Sequence, residues 1–440
     1  MRKITVSKKL ESFINEPSKF VGKDVDFKGV VYRIKDLGNF SFVHVFTTNG
    51  ILQCVLGESE VGVKEGCAVK INGLVKEAKI KDKFIFPRNI EVEVKEIVIL
   101  SSPESTMPFD ITKKNLNINN DVKFDLRMIS MRFPMERAIF KIQEGLVQGL
   151  RNYFMSESCT EIRTPKIVKE GAEGGANIFE IEYFGERAYL TQSPQFYKEF
   201  CTGVFQKVFE IAPVFRAEKH NTNRHINEYT SVDIEIGNIE SFYEIMEFEL
   251  GAIQSAFKNL IKNYQYELEL LDIKISEVGE IPVLKFNEVK EILKSKFKLQ
   301  DIDKSDLSPV EESKICEYIK NKTGSDFVFV THYPSEKRPF YAKDDPVNPV
   351  ETLSFDLLYK GIEITTGGQR INEYQELVEK MHSRGMKPED FEFFSVAHKY
   401  GLLPHGGFGM GLERLTQKVI GLDSVKLATM FPRDIHRLTP

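Results

Sequence analysis

Two runs of β-type sequence between residues 209 and 237 carry many charged side chains. The first run is apolar and leads into Arg216 and Glu218, which the two-residue period of a strand places on one face. By the same spacing, Tyr229, Asp233 and Glu235 share a face in the second run. Charged groups in a buried sheet need a partner or a ligand. The pattern indicates a nucleotide site in which the arginine holds phosphate and the tyrosine stacks on a base, with a surface hairpin of solvated charges as the alternative.

Two loops could complete such a site. The loop between the two runs is polar and cationic and includes Arg224 and His225, a composition that suits a polyanion. Residues 170–177 combine three glycines with Glu170. This second loop is either a simple connection or a lid over a substrate.

Ser193, Gln195 and Lys198 lie around a predicted junction between a strand and a helix. A lysine in the first turns of that helix can point into a cleft. The alternative is a lysine whose amino group is solvated at the surface.

Residues 354–371 predict two strands joined at Lys360 and Gly361. Folding back on that turn would bring Asp356 and Glu363 close together. Two neighbouring carboxylates at a phosphate site suggest magnesium, which prefers oxygen ligands. Arg370 follows two glycines, where the backbone can approach a ligand closely.

Near the C-terminus, residues 404–415 read PHGGFGMGLERL. They predict a glycine-rich strand, ending near Gly411, that passes into a helix carrying Arg414. A backbone without side chains leaves room for a flat ligand, on which the arginine can stack. The glycine spacing does not give GxGxxG, which disfavours a dinucleotide fingerprint.

Composition bounds the class of protein. The 440 residues are sufficient for two or three domains, and 41% hydrophobic with 28% charged residues is ordinary for a globular enzyme. The net charge of -5 argues against a generally basic nucleic-acid coat, so any RNA contact must be local. The five cysteines form no CxxC pair, which disfavours a zinc site or a disulfide framework. We expect a cytoplasmic protein with neither a membrane nor DNA as partner.

Residues 24–100 contain five short β-type runs, which predict a small closed barrel of OB type. Barrels of this kind often bind single-stranded nucleic acid through aromatic and basic side chains. Phe42 is the candidate for stacking on a base, whereas Phe40 is interpreted as a core residue.

The rest of the chain predicts an α+β protein. Residues 101–120 are polar, contain two prolines and indicate a linker. Residues 133–156 have helical spacing, and a predicted strand follows that ends at Pro165, a combination that would suit a dimer element. The predicted domains are residues 1–102, a hinge or linker of 103–125, and residues 126–440.

Three separated stretches resemble, in this order, the three motifs of class II aminoacyl-tRNA synthetases: EIRTPKI, then FRAE with RHINEYT, then GGFGMGLERL. The barrel, SPQFYKEF and the ending FPRDIHRLTP are similar to aspartyl-tRNA synthetases of archaeal and eukaryotic type. The resemblance covers nearly the whole chain. It implies an OB-fold anticodon-binding domain and a class II catalytic domain with an antiparallel β-sheet flanked by helices, in a homodimer. It also implies that L-aspartate is activated with ATP and transferred to the 3' end of tRNA(Asp).

The resemblance assigns roles to residues that match the family. The catalytic residues would be Arg216 and Arg414. The ATP-binding residues would be Arg216, Glu218, Arg224, His225, Tyr229, Glu363, Gly411 and Arg414. The aspartate-binding residues would be Glu170, Ser193, Gln195, Lys198, Asp233 and Arg370. The Mg²⁺ ligands would be Asp356, Glu363 and Thr366. The anticodon would be read by Arg33, Lys35, Phe42 and Gln53, with Lys35 where the family more often has arginine.

Charge decides between aspartate and asparagine as substrate. A side-chain carboxylate needs fixed cations, which Lys198 and Arg370 would provide. Asparaginyl-tRNA synthetases share all three motifs but usually lack a lysine at position 198, so that alternative is disfavoured. A non-catalytic RNA-binding relative is disfavoured by the intact motif residues, and an ammonia-dependent asparagine synthetase of this fold would lack the barrel.

One position departs from the family pattern. Val30 stands where members that accept only tRNA(Asp) often carry tryptophan, and the chain has no tryptophan. The resemblance therefore leaves open whether tRNA(Asn) is charged as well, with an amidotransferase then making asparagine on the tRNA.

Overall fold

The computed structural model describes Phe13 and residues 16–57, 62–169, 177–299 and 305–440. The chain divides into two compact units, Met1–Ala138 and Ile139–Pro440. No helix in these ranges combines the length and the apolar character needed to cross a bilayer. The predicted Glu170 lies outside the described residues.

The first unit contains a closed five-stranded barrel with the strand order β1-β2-β3-β5-β4. Its strands are β1 (Asp24–Asp36), β2 (Ser41–Phe46), β3 (Ile51–Leu56), β4 (Ala68–Glu77) and β5 (Ile90–Ser101). Apolar residues at alternate positions, such as Val25 and Phe27 of β1 and Val43 and Val45 of β2, fill the interior. The predicted OB-type barrel is confirmed.

Residues 102–119 form neither helix nor strand. Three helices follow: α1 (Asn120–Asp125), α2 (Arg127–Ser130) and α3 (Pro134–Ser156). The side chain of Asn119 accepts a hydrogen bond from the backbone N–H of Val122 and so caps α1. The predicted helix over 133–156 is confirmed as α3, which spans the division between the two units.

An eight-stranded sheet forms the centre of the second unit, in the order β12-β13-β14-β15-β16-β11-β10-β6. Its strands are β6 (Thr160–Glu161), β10 (Lys207–Phe215), β11 (Glu228–Gly237), β12 (Val283–Lys285), β13 (Phe327–Thr331), β14 (Ser354–Tyr359), β15 (Ile362–Gln369) and β16 (His405–Gly411). The sheet is antiparallel, as predicted, except for the parallel pairs at its two ends, β12 with β13 and β6 with β10. A small second sheet contains β7 (Ile167–Val168), β8 (Glu180–Tyr183) and β9 (Glu186–Leu190).

Eight helices complete the described part of the second unit: α4 (Gln195–Phe205), α5 (Tyr243–Asn263), α6 (Gln265–Leu270), α7 (Phe286–Phe297), α8 (Pro309–Thr323), α9 (Tyr374–Ser383), α10 (Glu392–Lys399) and α11 (Leu412–Ile420). The buried face of α5 joins the main hydrophobic core with Val232 and Ile234 of β11. The alternate residues Ser231 and Asp233 instead line a cleft. The period of two therefore gives this strand one core face and one cleft face.

Two local features fix how the central strands meet. Lys360 and Gly361 have φ angles of 46° and 84°, so a tight turn of the kind that favours glycine joins β14 to β15, as predicted. A Cβ atom at Gly407 of β16 would lie 2.0 Å from the carbonyl oxygen of Ile234. Only glycine allows β16 and β11 to approach this closely.

The predicted strand before Pro165 is shorter than expected. Only Thr160 and Glu161 pair, with β10. The backbone N–H and the hydroxyl of Thr164 donate instead to the Glu210 carboxylate, at 2.9 and 2.6 Å. The Glu210 side chain thus accepts the backbone hydrogen bond that a neighbouring strand would otherwise accept from Thr164.

Candidate active site

A single cleft in the second unit collects most of the predicted substrate-binding residues. It contains about 1120 Å³ of space, including space open to solvent. The predicted residues on its walls are Ser193, Gln195, Lys198, Arg216, Glu218, Arg224, His225, Tyr229, Asp233, Glu363, Thr366, Arg370, Gly411 and Arg414. These residues come from five separate stretches of sequence, which the sheet and α4 and α11 bring together.

At one end of the cleft, Arg216 follows directly after β10. Its guanidinium carbon lies 6.0 Å from the ring centroid of Tyr229, and its Nη1 lies 3.9 Å from Oε1 of Glu218. The strand ends at Phe215, but the backbone N–H of Arg216 still donates to the carbonyl of Asn227 at 2.9 Å. The arginine and the aromatic ring thus lie side by side, so that a nucleotide could place its phosphate on the arginine and its base on the ring.

The cationic loop contacts acidic groups. Arg224 forms an ion pair with Glu312 of α8, and the backbone N–H of Glu363 donates to the same carboxylate at 3.2 Å. Burial and, to a smaller extent, the charge of Glu363 raise the pKa of Glu312 to about 7, against the opposing charge of Arg224. Sequence reasoning missed Glu312 because this partner lies 88 residues away from Arg224.

His225 occupies the same loop. Its Nδ1 lies 2.6 Å from the hydroxyl of Thr222, and its Nε2 lies 3.4 Å from Oε2 of Glu218. Burial lowers the pKa of His225, and Glu218 opposes that shift. Both histidine nitrogens therefore have polar neighbours that fix the ring at the edge of the cleft.

At the other end of the cleft, two cations and two carboxylates alternate. Nζ of Lys198 lies 3.0 Å from Oδ1 of Asp233 and 3.3 Å from Oε2 of Glu235. Nε of Arg370 donates to Oε1 of Glu235 at 3.0 Å. All four residues are buried, with at most 7% exposure. Burial raises the pKa of Glu235, but Arg370 and Lys198 together bring it below its usual value.

Sequence reasoning placed Glu235 on the same strand face as Asp233 but assigned it no role. Its two-residue spacing from Asp233 was the available signal. Among the described residues, further groups on the cleft wall that were not predicted include Gln192, Ser231, Arg338 and Glu413. Glu413 accepts two hydrogen bonds from the backbone N–H of Thr230, at 3.0 and 3.1 Å, and thereby ties α11 to β11.

Asp356, Glu363 and Thr366 lie on the neighbouring strands β14 and β15. Asp356 is the register partner of Thr366, whose hydroxyl donates to Oε1 of Glu363 at 3.1 Å. Oδ1 of Asp356 lies 2.8 Å from Nη2 of Arg338. Burial and, to a smaller extent, the charge of Glu363 raise the pKa of Asp356 to about 6, against the opposing charge of Arg338.

This oxygen-rich group fits a divalent cation. The buried carboxylate of Asp356 and the partly exposed carboxylate of Glu363 would both be stabilised by a cation between them, and the third group is a hydroxyl. Within the described ranges, no cluster of three or more His, Cys, Asp or Glu side chains could hold a metal ion. A cation at this place would therefore take its other ligands from water or from phosphate.

In the barrel, the predicted anticodon residues lie on three adjacent strands. Arg33 of β1 is the register partner of His44 of β2, which is in turn the partner of Gln53 of β3. Lys35 pairs in the same way with Phe42. Lys35 is exposed and Phe42 is partly exposed, so both can reach a ligand.

Hydrogen bonds connect Arg33, His44 and Gln53 across the three strands. Nε of Arg33 donates to Nδ1 of His44 at 3.3 Å, and Nε2 of the histidine lies 3.3 Å from Oε1 of Gln53. Nε2 of Gln53 donates to Glu91 at 2.9 Å. Burial and the charge of Arg33 lower the pKa of His44 to about 4, so the ring is neutral. Sequence reasoning missed His44, although its two-residue spacing from Phe42 was a signal.

The cleft, with Arg216 beside Tyr229 and with the buried charges of Lys198, Asp233 and Arg370, can be compared with known proteins. The family model described as tRNA synthetases class II (D, K and N) matches residues 119–435. The chain belongs to this family.

Class II synthetases related to this chain match along nearly its whole length. It is 42% identical over 422 residues to the aspartate–tRNA(Asp/Asn) ligase of Thermus thermophilus, covering 96% of this chain and 97% of that one. It is 36% identical over 438 residues to the aspartate–tRNA(Asp) ligase of Pyrococcus furiosus, with 95% and 97% covered.

Class II synthetases of known structure share the fold. The asparaginyl-tRNA synthetase from Pyrococcus horikoshii, solved with asparaginyl-adenylate, has a TM-score of 0.84 and 29% identity, with 96% and 97% of the two chains covered. The fold alone therefore does not decide between aspartate and asparagine as substrate.

Proposed function

We infer that the chain is an aspartate–tRNA ligase, which activates L-aspartate with ATP and transfers it to the 3' end of tRNA(Asp). The observation that carries this conclusion is the pair of buried cations, Lys198 and Arg370, at one end of the cleft. The side-chain carboxylate of aspartate needs fixed positive charge, which the amide of asparagine does not. The relatives from Thermus thermophilus and Pyrococcus furiosus, at 42% and 36% identity, are both named aspartate–tRNA ligases, which supports the same choice.

The first reaction joins aspartate to AMP. The α-carboxylate of aspartate attacks the α-phosphorus of ATP, and pyrophosphate leaves. Arg216 stabilises the negative charge that develops on the phosphoryl oxygens, and Arg414 holds the other side of the nucleotide. Tyr229 stacks on the adenine, and Glu218 contacts its polar edge. Asp233 binds the ammonium group of the substrate.

Asp356, Glu363 and Thr366 would hold Mg²⁺, which would neutralise charge on the ATP phosphates. The hard oxygen atoms of these three side chains support this assignment. Arg224 and His225 lie at the edge of the same cleft and would bind the outer phosphates.

In the second reaction, a hydroxyl of the terminal ribose of the tRNA attacks the acyl carbon of the adenylate, and AMP leaves. Binding of the anticodon is assigned to the barrel. Lys35, which is exposed, and Phe42, which is partly exposed, would contact the tRNA, together with Arg33 of β1 and Gln53 of β3. We also propose that the enzyme is a cytoplasmic homodimer. Light scattering on the purified protein would test the dimer.

The experiment that tests the function has two parts. Exchange of labelled pyrophosphate into ATP should depend on aspartate, and asparagine should give none. Labelled aspartate should then be transferred to purified tRNA(Asp). Exchange that requires asparagine instead would overturn the proposal.

A parallel reaction with tRNA(Asn) tests the wider specificity. Relatives of both names occur, one for tRNA(Asp/Asn) and one for tRNA(Asp). Together with Val30, this supports the proposal that both tRNAs are charged with aspartate. Charging of tRNA(Asp) alone would contradict it and leave the aspartate assignment intact.

A further inference from the structure

Behind the amino-acid end of the cleft, a buried glutamate holds one of the predicted substrate contacts. Glu199 of α4 is fully buried, and its Oε1 accepts a hydrogen bond of 2.6 Å from Nε2 of Gln195. Gln195 lines the cleft. Because Nε2 of its amide is turned towards Glu199, the acceptor Oε1 is the atom left for a ligand.

The other oxygen of the same carboxylate faces a histidine. Oε2 of Glu199 lies 3.2 Å from Nε2 of His405, and Nδ1 of that histidine lies 2.9 Å from the carbonyl oxygen of Leu403. A carbonyl oxygen only accepts hydrogen bonds, and so does a carboxylate. Both ring nitrogens must therefore donate, which only the doubly protonated imidazolium can do.

Other charged groups around His405 agree with this protonation state. Burial lowers the pKa of His405, but the hydrogen bond and the charge of Glu199, with the charge of Glu235 on β11, raise it above the usual 6.5. His398 of α10 also faces it, with 6.3 Å between the ring centroids. Its Nε2 lies 3.1 Å from the carbonyl oxygen of Ile371 and 4.0 Å from Oε2 of Glu199, and its Nδ1 lies 3.4 Å from the carbonyl oxygen of Phe394. Burial lowers the pKa of His398, which favours its neutral form, and Glu199 opposes that shift.

The charges of the cluster then balance. The three buried cations are Lys198, Arg370 and His405. The three buried carboxylates are Asp233, Glu235 and Glu199. With His405 neutral, the cluster would carry one excess negative charge behind the place where an anionic side chain is expected to bind.

We propose that Glu199 and protonated His405 form a positioning pair, which fixes the amide of Gln195 with its oxygen towards the substrate ammonium and keeps the amino-acid pocket electrically neutral. The proposal rests on the aspartate–tRNA ligase function inferred above. The pair does not touch the substrate, and it acts on aspartate binding through Gln195 and through its charge.

The sign of the pH dependence follows from the raised pKa of His405. The imidazolium is present below that pKa and is lost as the pH rises through it. The KM for aspartate should therefore rise as the pH increases above the usual histidine value of 6.5, by about tenfold for one unbalanced charge within several ångströms. The KM for ATP should change much less, because the nucleotide end lies elsewhere in the cleft.

Two substitutions separate the charge from the hydrogen bond. In Glu199→Gln, the new carbonyl still accepts from Gln195 and the new amide can donate to a neutral His405. This variant should keep its hold on Gln195 and lose most of the pH dependence. In Glu199→Ala both functions are lost, and kcat/KM for aspartate should fall by about tenfold or more, the cost of one hydrogen bond to a charged group.

The assay is aspartate-dependent pyrophosphate exchange at a series of pH values below and above 6.5. The purified enzyme, both Glu199 variants, Gln195→Ala and the Gln195→Ala/Glu199→Ala double variant are compared, with Glu247→Gln, an exposed glutamate of α5, as the matched control. In the Gln195→Ala background, Glu199→Ala should cost at most about threefold more if it acts through Gln195.

Three outcomes overturn the inference alone: a flat pH profile of the KM in the unmodified enzyme, an unchanged profile in Glu199→Gln, or additive losses in the double variant. If Glu199→Ala does not fold, the profile of Glu199→Gln still decides. An unmodified enzyme without any aspartate-dependent exchange would instead overturn the proposed function, and this inference with it.

Discussion

Replacing Lys198 with leucine tests the amino-acid end of the cleft most directly. The ammonium group is buried, with 2% exposure, and lies 3.0 and 3.3 Å from two carboxylates. Removing one partner of a buried, hydrogen-bonded charge pair costs about 2–5 kcal/mol. Because about 1.4 kcal/mol corresponds to a factor of ten, kcat/KM for aspartate should fall by about 30-fold to about 5000-fold.

The same change should leave the KM for ATP within about threefold, since Asp233, Glu235 and the carbonyl of Phe408, which Lys198 contacts, lie at the amino-acid end. The measurement is pyrophosphate exchange with either aspartate or ATP varied at saturating concentrations of the other. Because Asp233 then loses its ion pair and Glu235 loses one of its two, the melting temperature should also fall. Lys258→Leu, at an exposed position of α5, is the control for the chemical change.

Equal losses for aspartate and ATP would refute the placement of Lys198 at the amino-acid end. Unchanged kinetics with a lowered melting temperature would show that the lysine only neutralises Asp233 and Glu235. Either result would also remove the main reason to prefer aspartate over asparagine.

Three further predictions concern the other parts of the chain. Arg216→Ala should lower kcat for pyrophosphate exchange by about 100-fold to 1000-fold, because it removes a charged donor at the reacting phosphate, and near-normal exchange would exclude it from that role. Glu363→Gln should raise the MgCl₂ concentration needed for half-maximal exchange, and a response curve identical to that of the unmodified enzyme would argue against a metal ligand there. Phe42→Ala should raise the KM for tRNA by about 5-fold to 100-fold, because one stacked base is lost. Pyrophosphate exchange without tRNA should stay unchanged. An unaffected KM for tRNA would place the ring outside the interface.

Local sequence patterns predicted those elements of the fold that depend on near neighbours. The alternation in β1 to β5, the helical spacing of α3 and the turn at Lys360 and Gly361 are all encoded within a few residues. The strand before Pro165 was predicted too long because Thr164 bonds to Glu210, a partner 46 residues away. Spacing along the chain carries no information about such a contact.

The same limit applies to the candidate site. Residues that belong to motifs, such as Arg216 and Arg414, could be named from the sequence because their spacing is distinctive. Glu312 and His405 could not, since the groups that they contact lie on other elements and a lone glutamate or histidine is most often structural. The mutual arrangement of the buried charges becomes visible only when α4, β11 and β16 are brought together.

The glycine-rich strand β16 has a consequence for how substrate preference can change. Nζ of Lys198 donates to the carbonyl of Phe408 at 3.2 Å, and Nη2 of Arg370 donates to the carbonyl of Gly407 at 3.0 Å. The two cations are thus anchored to successive peptide groups of a strand that packs too tightly against β11 to accept a side chain at position 407. The distance between the two cations therefore depends on the main chain of β16. Exchanging side chains around the pocket can alter its charge, but it does not move the two carbonyl groups that hold Lys198 and Arg370. Evolution or engineering towards a longer acidic amino acid would have to reshape the backbone of β16 itself.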